Sequence, residues 1–326
     1  MEYRHLGRSG LLVSRIGLGC MNFGDATGKQ EAFEIMDRAI ELGVNFFDTA
    51  DVYGGPQKPD MEKGYGTSEE IVGNWLKASG HRDDIVLATK LYQPMGLGPN
   101  DRRLSAYHIR RAVDASLRRL QTDHIDVYQM HHVDRATPFD EIWQAMEQLV
   151  AAGKISYVGS SNFAGWDVAT AHLTAQHRNF FGLVSEQSLY NLANRAVERE
   201  LIPALEHFGI GLIPWSPLAM GVLAGRPEAG EKTERRALQG EVYDAVSDQL
   251  DAFEALCVRL GHSPAAVAQT WLLHQPVVST LIAGSRTKAQ LEAAVDAVAV
   301  SLDADALAAI DRIWPGPGVA PMSYAW

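Results

Sequence analysis

The sequence predicts an α/β protein built as a (β/α)8 TIM barrel, with a short N-terminal β-hairpin and long loops at the C-terminal mouth. Short β-rich apolar runs alternate with longer segments of helical period through most of the 326 residues, which is typical of βαβ units. Most of the runs are apolar on consecutive residues, as parallel strands covered on both faces require. We expect a single domain over residues 1–326, because one barrel commonly occupies about 250 residues or more.

Eight runs are predicted as strands, in chain order Ile16–Cys20, Val44–Asp48, Ile85–Lys90, Ile125–Met130, Ile155–Ser160, Leu183–Gln187, Gly211–Trp215 and Ser279–Ala283. The segments between them have an apolar face at helical spacing, as in Glu31–Leu42, His108–Leu120 and Pro138–Ala152. Before the first strand the chain is polar and has turn-forming residues between Gly7 and Gly10, which predicts the hairpin.

Periodicity alone leaves two arrangements open, a barrel and a doubly wound sheet. Polar residues favour the barrel, because Asp48, Lys90, His131 and Gln187 stand at the C-terminal ends of different strands. A barrel brings such residues together at one mouth. Three long connections, 54–67, 93–104 and 217–246, also follow strands. Connections of this length in a compact domain are commonly functional, so we expect them to surround the same mouth.

Composition excludes several classes of protein. The formal net charge of -11 disfavours a nucleic-acid-binding protein, which usually carries a basic surplus. No apolar stretch is long enough to span a membrane, and the start lacks the apolar core of a signal peptide, so we expect a cytoplasmic protein with no membrane partner. The two cysteines, Cys20 and Cys257, lack metal-ligand spacing and are interpreted as free thiols. We therefore expect no metal site.

Four side chains near the strand ends suit acid catalysis at a carbonyl group. Tyr53 can donate a proton if a neighbouring cation favours its phenolate, and Lys90 can supply that charge. Asp48 can hold the ammonium in place, while His131 can bond and orient the carbonyl oxygen. Each residue alone also has a structural interpretation, as a cap, a solvated strand end or a buried histidine. Their joint placement favours catalysis.

Two familiar motifs are absent. Gly17-Leu18-Gly19 begins like the GxGxxG dinucleotide fingerprint, but Asn22 stands where the third glycine is required. The segment GSSNF at 159–163 lacks the closing glycine of a GxSxG nucleophile motif. A phosphate site is predicted elsewhere, where the last strand meets a helix N-terminus at Gly284. Arg286 adds a fixed cation there, although an arginine in such a place can equally pair with an acidic side chain.

The runs YRHLGRSGLLVSRIGLGCMNFG, NFFDTADVYG, IVLATK, HIDVYQMHHVD, VGSSNF and IPWSPLAMGVLAG closely resemble those of the aldo-keto reductase superfamily, in order and over essentially the whole chain. The resemblance implies a catalytic tetrad in which Asp48 and Tyr53 come from the DTAxxYG run, Lys90 from the ATK run and His131 from the strand after it. His132 matches a variable position and is interpreted as a residue lining the mouth.

The resemblance also implies that the protein binds NADP(H). Trp215 matches an aromatic residue that stacks on the nicotinamide ring, while Arg286 and Gln290 match residues that hold the 2′-phosphate and adenosine. The resemblance further implies carboxamide contacts for Ser161, Asn162 and Gln187, and backbone contacts for Met21, Ser216 and Leu218. Asp48 and Gly284 are also cofactor-contact candidates. Arg226 and Arg236 are candidates to close over the pyrophosphate, or are simply solvated residues of a charged loop.

The chain departs from many relatives in two places. Ala293 and Ala294 replace an acidic residue and an asparagine that contact the adenine, so the preference for NADPH over NADH depends mainly on Arg286. The stretch GGPQKPDMEKGYGT after Tyr53 is longer than the usual link, and we expect it to shape the substrate pocket.

These observations predict a reductase of aldehydes or ketones, with a ketosugar and a general aldehyde as alternative substrates. The sequence leaves the oligomeric state open, a homo-oligomer included. The alternative function is a cofactor-binding redox sensor similar to the β subunits of potassium channels. Those relatives commonly lack the tetrad histidine, and the presence of His131 favours the enzyme.

Overall fold

The computed structural model describes residues 1–58, 60–225 and 245–325. The N-terminal hairpin consists of two antiparallel strands, β1 (Tyr3–His5) and β2 (Leu12–Ser14). Eight further strands form one parallel sheet, namely β3 (Ile16–Gly19), β4 (Phe46–Asp48), β5 (Val86–Leu91), β6 (Ile125–Met130), β7 (Ile155–Ser161), β8 (Leu183–Leu189), β9 (Gly211–Trp215) and β10 (Leu281–Ala283).

This sheet closes into a barrel. Strands β3 to β9 lie in sequence order, and β10 pairs with β3 at the other edge. The chain just before β10 completes the ring, because the backbone N of Leu212 donates to Val277 O at 2.8 Å and Ser279 N donates to Leu212 O at 3.0 Å. The predicted (β/α)8 barrel is confirmed. All eight predicted strands are present, and the later starts at Phe46 and Leu281 are among the largest differences in boundary.

Helices cover the outside of the barrel. Those of eight residues or more in the described chain are α1 (Lys29–Glu41), α2 (Thr67–Ser79), α3 (Ala106–Leu120), α4 (Phe139–Ala151), α5 (Gly165–His177), α6 (Leu201–Phe208), α7 (Ser247–Leu260), α8 (Pro264–Leu273), α9 (Lys288–Asp296) and α10 (Ala304–Ile313). Several begin at a capping side chain, as where Ser105 accepts from the backbone N of His108 and Asp303 accepts from Ala306 N. Within the described ranges, no helix has the length and apolar composition needed to cross a bilayer.

The hairpin closes the N-terminal end of the barrel. Leu6 and Val13 are fully buried and pack with Phe46 and Val127 inside the barrel. The turn between the two hairpin strands needs a glycine at position 7, because its φ is +56° and a Cβ there would lie 2.4 Å from the carbonyl oxygen of Val184. Solvent is thereby excluded from this end, and the opposite end remains as the mouth.

Side chains that point into the barrel change from apolar to polar along each strand. On β4 the inward residue Phe46 is followed two positions later by Asp48, and on β5 Ala88 is followed by Lys90. On β6 Gln129 follows an inward valine in the same way. Because strand side chains alternate between faces, this period of two carries the polar groups to one level at the C-terminal mouth.

Candidate active site

A buried ion pair lies at the centre of the mouth. Lys90 Nζ is 2.5 Å from Asp48 Oδ2 and donates a second hydrogen bond to the carbonyl oxygen of Thr49 at 2.9 Å. The Lys90 side chain is fully buried and that of Asp48 nearly so. Two buried charges cost much desolvation free energy unless they are paired and hydrogen-bonded, so their arrangement is fixed by these contacts.

Two amide side chains hold the other oxygen of Asp48. The Nε2 atoms of Gln129 and Gln187 both donate to Asp48 Oδ1, each at 2.9 Å. The sequence indicated Gln187 as a strand-end residue, but it gave no role to Gln129. One signal could have identified Gln129, namely its position as a polar residue within the apolar run of β6. The structure pairs it in register with Lys90 of β5. Each Asp48 oxygen therefore has a hydrogen-bond donor.

Tyr53 and His131 complete the predicted group of four. The hydroxyl of Tyr53 lies 3.4 Å from Lys90 Nζ and 3.4 Å from His131 Nε2. The two rings meet edge to face, with centroids 5.6 Å apart. The structure thus brings Asp48, Tyr53, Lys90 and His131 together, as the sequence predicted. The hydroxyl is the group that contacts both a cation and an imidazole.

Burial and charge set the protonation states of this group. Burial raises the pKa of Tyr53 above its usual value, and the positive charge of Lys90 opposes that rise. Burial alone would lower the pKa of Lys90, but Asp48 and Tyr53 offset this and raise it. The pKa of His131 is well below its usual value, first because of burial and then because of Lys90. Near neutral pH the site holds a protonated tyrosine, an ammonium and a neutral imidazole.

Asn162 joins the tetrad to the neighbouring wall of the mouth. Its backbone has a φ of 59°, in the left-handed region. Its Nδ2 donates to the carbonyl oxygen of His131 at 3.1 Å and to Ser161 Oγ at 3.0 Å, while its Oδ1 accepts from Trp215 Nε1 at 3.2 Å. Ser161 Oγ in turn donates to Gln187 O at 2.8 Å. These predicted cofactor residues therefore form one connected network.

The predicted backbone contacts lie at the rim of this network. Met21 is exposed in the loop that follows β3, and Leu218 is half-buried after β9. Ser216 has a φ of 54°, and its carbonyl oxygen accepts from Asn191 Nδ2 at 2.9 Å. Asn191 had no predicted role. It fixes the direction in which the chain leaves β9.

The predicted phosphate site lies where β10 meets α9. The carbonyl oxygen of Gly284 accepts from Asn22 Nδ2 at 3.0 Å, and Gln290 Oε1 accepts from the backbone N of Arg286 at 2.8 Å. Gln290 thus stabilises the start of its own helix. Within the described ranges the guanidinium of Arg286 makes neither a hydrogen bond nor an ion pair. Arg226 and Arg236, the other two predicted cations, lie outside the described residues.

These residues fit a nicotinamide cofactor. Gln187 Oε1 accepts no hydrogen bond from the described part of the chain, and Asn162 Oδ1 has a second lone pair, so both can accept from a carboxamide. The half-buried Trp215 offers an aromatic face beside them. Arg286, whose guanidinium has no partner among the residues that the structure describes, can pair with a phosphate at the other end. Donor, acceptor, aromatic face and cation are all present.

Comparison with known proteins agrees with this geometry. The profile of the Aldo/keto reductase family matches residues 15–315. Over 332 aligned residues the chain is 47% identical to the uncharacterized oxidoreductase YrpG of Bacillus subtilis (strain 168), and the alignment covers 100% of each chain. It is 35% identical to the versiconal hemiacetal acetate reductase of Aspergillus parasiticus, covering 98% of this chain and 99% of the relative. It is also 35% identical to a probable voltage-gated potassium channel subunit beta of Arabidopsis thaliana, covering 92% of each. The chain belongs to the aldo/keto reductase family.

Proposed function

We propose that this protein is an NADP(H)-dependent oxidoreductase that reduces an aldehyde or ketone, with Tyr53 as the proton donor. One observation carries the proposal. The Tyr53 hydroxyl, at the mouth of the barrel, lies 3.4 Å from both the Lys90 ammonium and the His131 imidazole. An acid placed between a cation and a neutral hydrogen-bonding ring is suited to protonating a carbonyl oxygen.

Asn162, Gln187 and Trp215 would hold the nicotinamide, which in its reduced form would supply the hydride that the carbonyl carbon accepts. Tyr53 gives its proton to the carbonyl oxygen, so that the product is an alcohol and the tyrosine becomes a phenolate. Lys90 stabilises that phenolate by its charge, and Asp48 keeps Lys90 in position through the 2.5 Å contact. His131, neutral because burial lowers its pKa, orients the carbonyl by a hydrogen bond without competing with Tyr53 as an acid.

The preference for NADPH over NADH depends on Arg286. Its guanidinium lacks a partner within the described residues, so no acidic side chain there competes for it. An arginine forms short, charge-assisted hydrogen bonds with phosphate oxygens. The adenosine 2′-phosphate, which NADH lacks, is the group that we assign to it.

Relatives support turnover as the function and also define the alternative. Two carry names of oxidoreductases, and the Arabidopsis relative is named as a channel subunit. A protein that only sensed the cofactor would not need a proton donor beside a buried cation. The complete tetrad therefore favours a reductase, whose substrate is an aldehyde or a ketone, ketosugars included.

Replacing the proposed acid tests the function. Tyr53→Phe removes one hydroxyl and should lower the rate of NADPH-dependent carbonyl reduction by about 10²- to 10⁴-fold, the range typical of a lost general acid. Binding of NADPH, followed by its fluorescence, should be nearly unchanged. Tyr107→Phe makes the same chemical change on the exposed face of α3 and serves as the control.

Two results would contradict the proposal. A Tyr53→Phe enzyme that keeps normal activity would exclude Tyr53 as the proton donor. A wild-type protein that binds NADPH but oxidises it with no member of a panel of aldehydes, ketones and ketosugars would favour the sensor.

A further inference from the structure

A buried glutamate lies behind the nicotinamide end of the site. On β8 Gln187 points into the barrel, whereas the preceding residue, Glu186, points outward and is fully buried. Glu186 Oε1 accepts from the backbone N of Phe163 at 3.1 Å and from Ser188 Oγ at 2.7 Å. Glu186 Oε2 has no hydrogen-bond partner in the described part of the chain. The tetrad chemistry makes no use of this carboxylate.

The segment that Glu186 holds is the turn through Asn162. Phe163 directly follows Asn162, whose backbone is in the left-handed region (φ 59°) that asparagine adopts more readily than most residues, and two backbone hydrogen bonds hold the turn in place. One support is the hydrogen bond from Asn162 N to Gln187 O at 3.0 Å, and the other is the bond from Phe163 N to Glu186. This turn positions the side-chain amide of Asn162, which forms hydrogen bonds with Trp215 and His131.

We propose that Glu186 is a positioning residue whose negative charge holds the Asn162 turn, so that the affinity for the nicotinamide cofactor depends on whether Glu186 is ionised. The inference rests on the proposed function, because it assumes that the Asn162 network binds the carboxamide. Glu186 itself does not touch the cofactor. It acts through Phe163 N, which lies between it and Asn162.

The surroundings of Glu186 allow it to titrate near neutrality. Burial raises its pKa to about 7, and the neighbouring polar groups of Ser160, Ser188 and the backbone of the Asn162 turn oppose the rise. These groups, from β7, the turn and β8, are all uncharged. On α5, which packs against β8, Asp167 pairs with Arg135 at 2.7 Å, and His172 packs on a phenylalanine of α6. Neither of these titratable groups forms an ion pair with Glu186.

The sign of the effect follows from hydrogen-bond strength. An ionised carboxylate accepts a backbone N–H bond more strongly than a neutral carboxyl does. Above a pH of about 7 the turn is therefore held firmly, and below it the turn is held more weakly. The cofactor should bind more tightly on the alkaline side of this pKa.

The experiment is a fluorescence titration of the full-length protein with NADPH at about pH 6 and about pH 8, on either side of the Glu186 pKa of about 7. Wild type should bind about fivefold more weakly at the lower pH, the size expected when one charge-assisted hydrogen bond becomes neutral. Glu186→Gln keeps the shape and an acceptor oxygen but carries no charge. It should bind at both pH values as weakly as the wild type does at the lower one.

Two additions separate this effect from others. The 2′-phosphate of NADPH also titrates near pH 6, so the same titrations are repeated with NADH, which lacks it. Ser188→Ala leaves Glu186 in place but removes a hydrogen bond that lowers its pKa, and it should move the midpoint of the binding profile to higher pH. If Glu186→Gln does not fold, the midpoint of the Ser188→Ala binding profile alone tests the role of Glu186.

The possible results distinguish the two proposals. Identical pH profiles for wild type and Glu186→Gln, or no shift of midpoint in Ser188→Ala, would overturn the role of Glu186. A wild type with the expected binding profile that reduces no carbonyl would support Glu186 and refute the reductase. Failure of the wild type to bind either cofactor would refute both.

Discussion

The pair of amides that holds Asp48 gives a sharp test of how the site is supported. Gln129 and Gln187 each donate to Asp48 Oδ1 at 2.9 Å, and both side chains are buried. Replacing Gln129 by methionine keeps a long unbranched side chain and removes the donor. A buried hydrogen bond to a charged group is worth about 1.5–3 kcal/mol. We therefore expect Gln129→Met to lower the free energy of unfolding by about 2 kcal/mol.

The two glutamines should differ in cofactor binding. Gln187→Met removes the same hydrogen bond and should cost a similar free energy of unfolding, but it also removes Oε1, the proposed carboxamide acceptor. Gln129→Met should therefore bind NADPH as the wild type does, whereas Gln187→Met should bind it more weakly. Urea unfolding without cofactor measures the first quantity, and NADPH titration measures the second.

Gln269→Met on α8 is the matched control. Gln269 is buried, and within the described residues its side chain makes no hydrogen bond to a charged group, so the same exchange there removes no bond of that kind. Stability of Gln129→Met equal to that of Gln269→Met would refute the argument that the amide supports Asp48. Equal losses of NADPH affinity in the Gln129 and Gln187 variants would refute the separate role of Gln187.

Three further predictions follow from single contacts. Arg286→Ala should weaken NADPH binding by about tenfold to a hundredfold and leave NADH unchanged, and equal losses would exclude a 2′-phosphate contact. Burial, then the charge of Glu69, raises the pKa of the fully buried Asp51 well above its usual value, so the contribution of Asp51 to stability should fall as pH rises above about 4. Asp51→Asn should therefore be more stable than wild type at neutral pH, with a gap that closes near pH 4; urea unfolding that shows a constant gap would contradict this. Gly73→Ala should lower the free energy of unfolding by about 1–3 kcal/mol, because its Cβ would lie 2.2 Å from the carbonyl oxygen of Arg119; an unchanged melting temperature would contradict it.

The barrel was predictable because its strands are buried on both faces. Continuous apolar runs, such as residues 85–88, mark parallel strands, and the segments between the strands have the single apolar face of a surface helix. Boundaries were predicted less well. Ser279 lies before β10, yet its backbone N completes the ring by bonding Leu212 O. This hydrogen bond depends on β9, which is far from Ser279 in sequence, so the local pattern around Ser279 could not predict it.

The meeting of Asp48, Lys90 and His131 at one mouth was predictable from their positions. Strand-end residues of a parallel barrel converge on one face, and each of the three lies within one residue of the last residue of its strand. The residues that support them were not predictable. Gln129, Asn191 and Asn22 act on partners 81, 25 and 262 positions away. Long-range polar contacts of this kind depend on three-dimensional register, and a single sequence does not reveal them.

The alternation of strand side chains explains why neighbouring polar residues have different tasks. Lys90 points into the barrel, and its ammonium contacts the Tyr53 hydroxyl. Thr89 points outward, and its hydroxyl donates a hydrogen bond to the buried Glu69 of α2 at 2.6 Å. On β8 the inward Gln187 donates to Asp48, and the outward Glu186 accepts from the backbone N of Phe163. On both strands the inward residue belongs to the candidate site, and the outward residue bonds a neighbouring element. The sequence could indicate Gln187 as a strand-end residue, but only the three-dimensional structure shows that its neighbour Glu186 bonds the backbone beside Asn162.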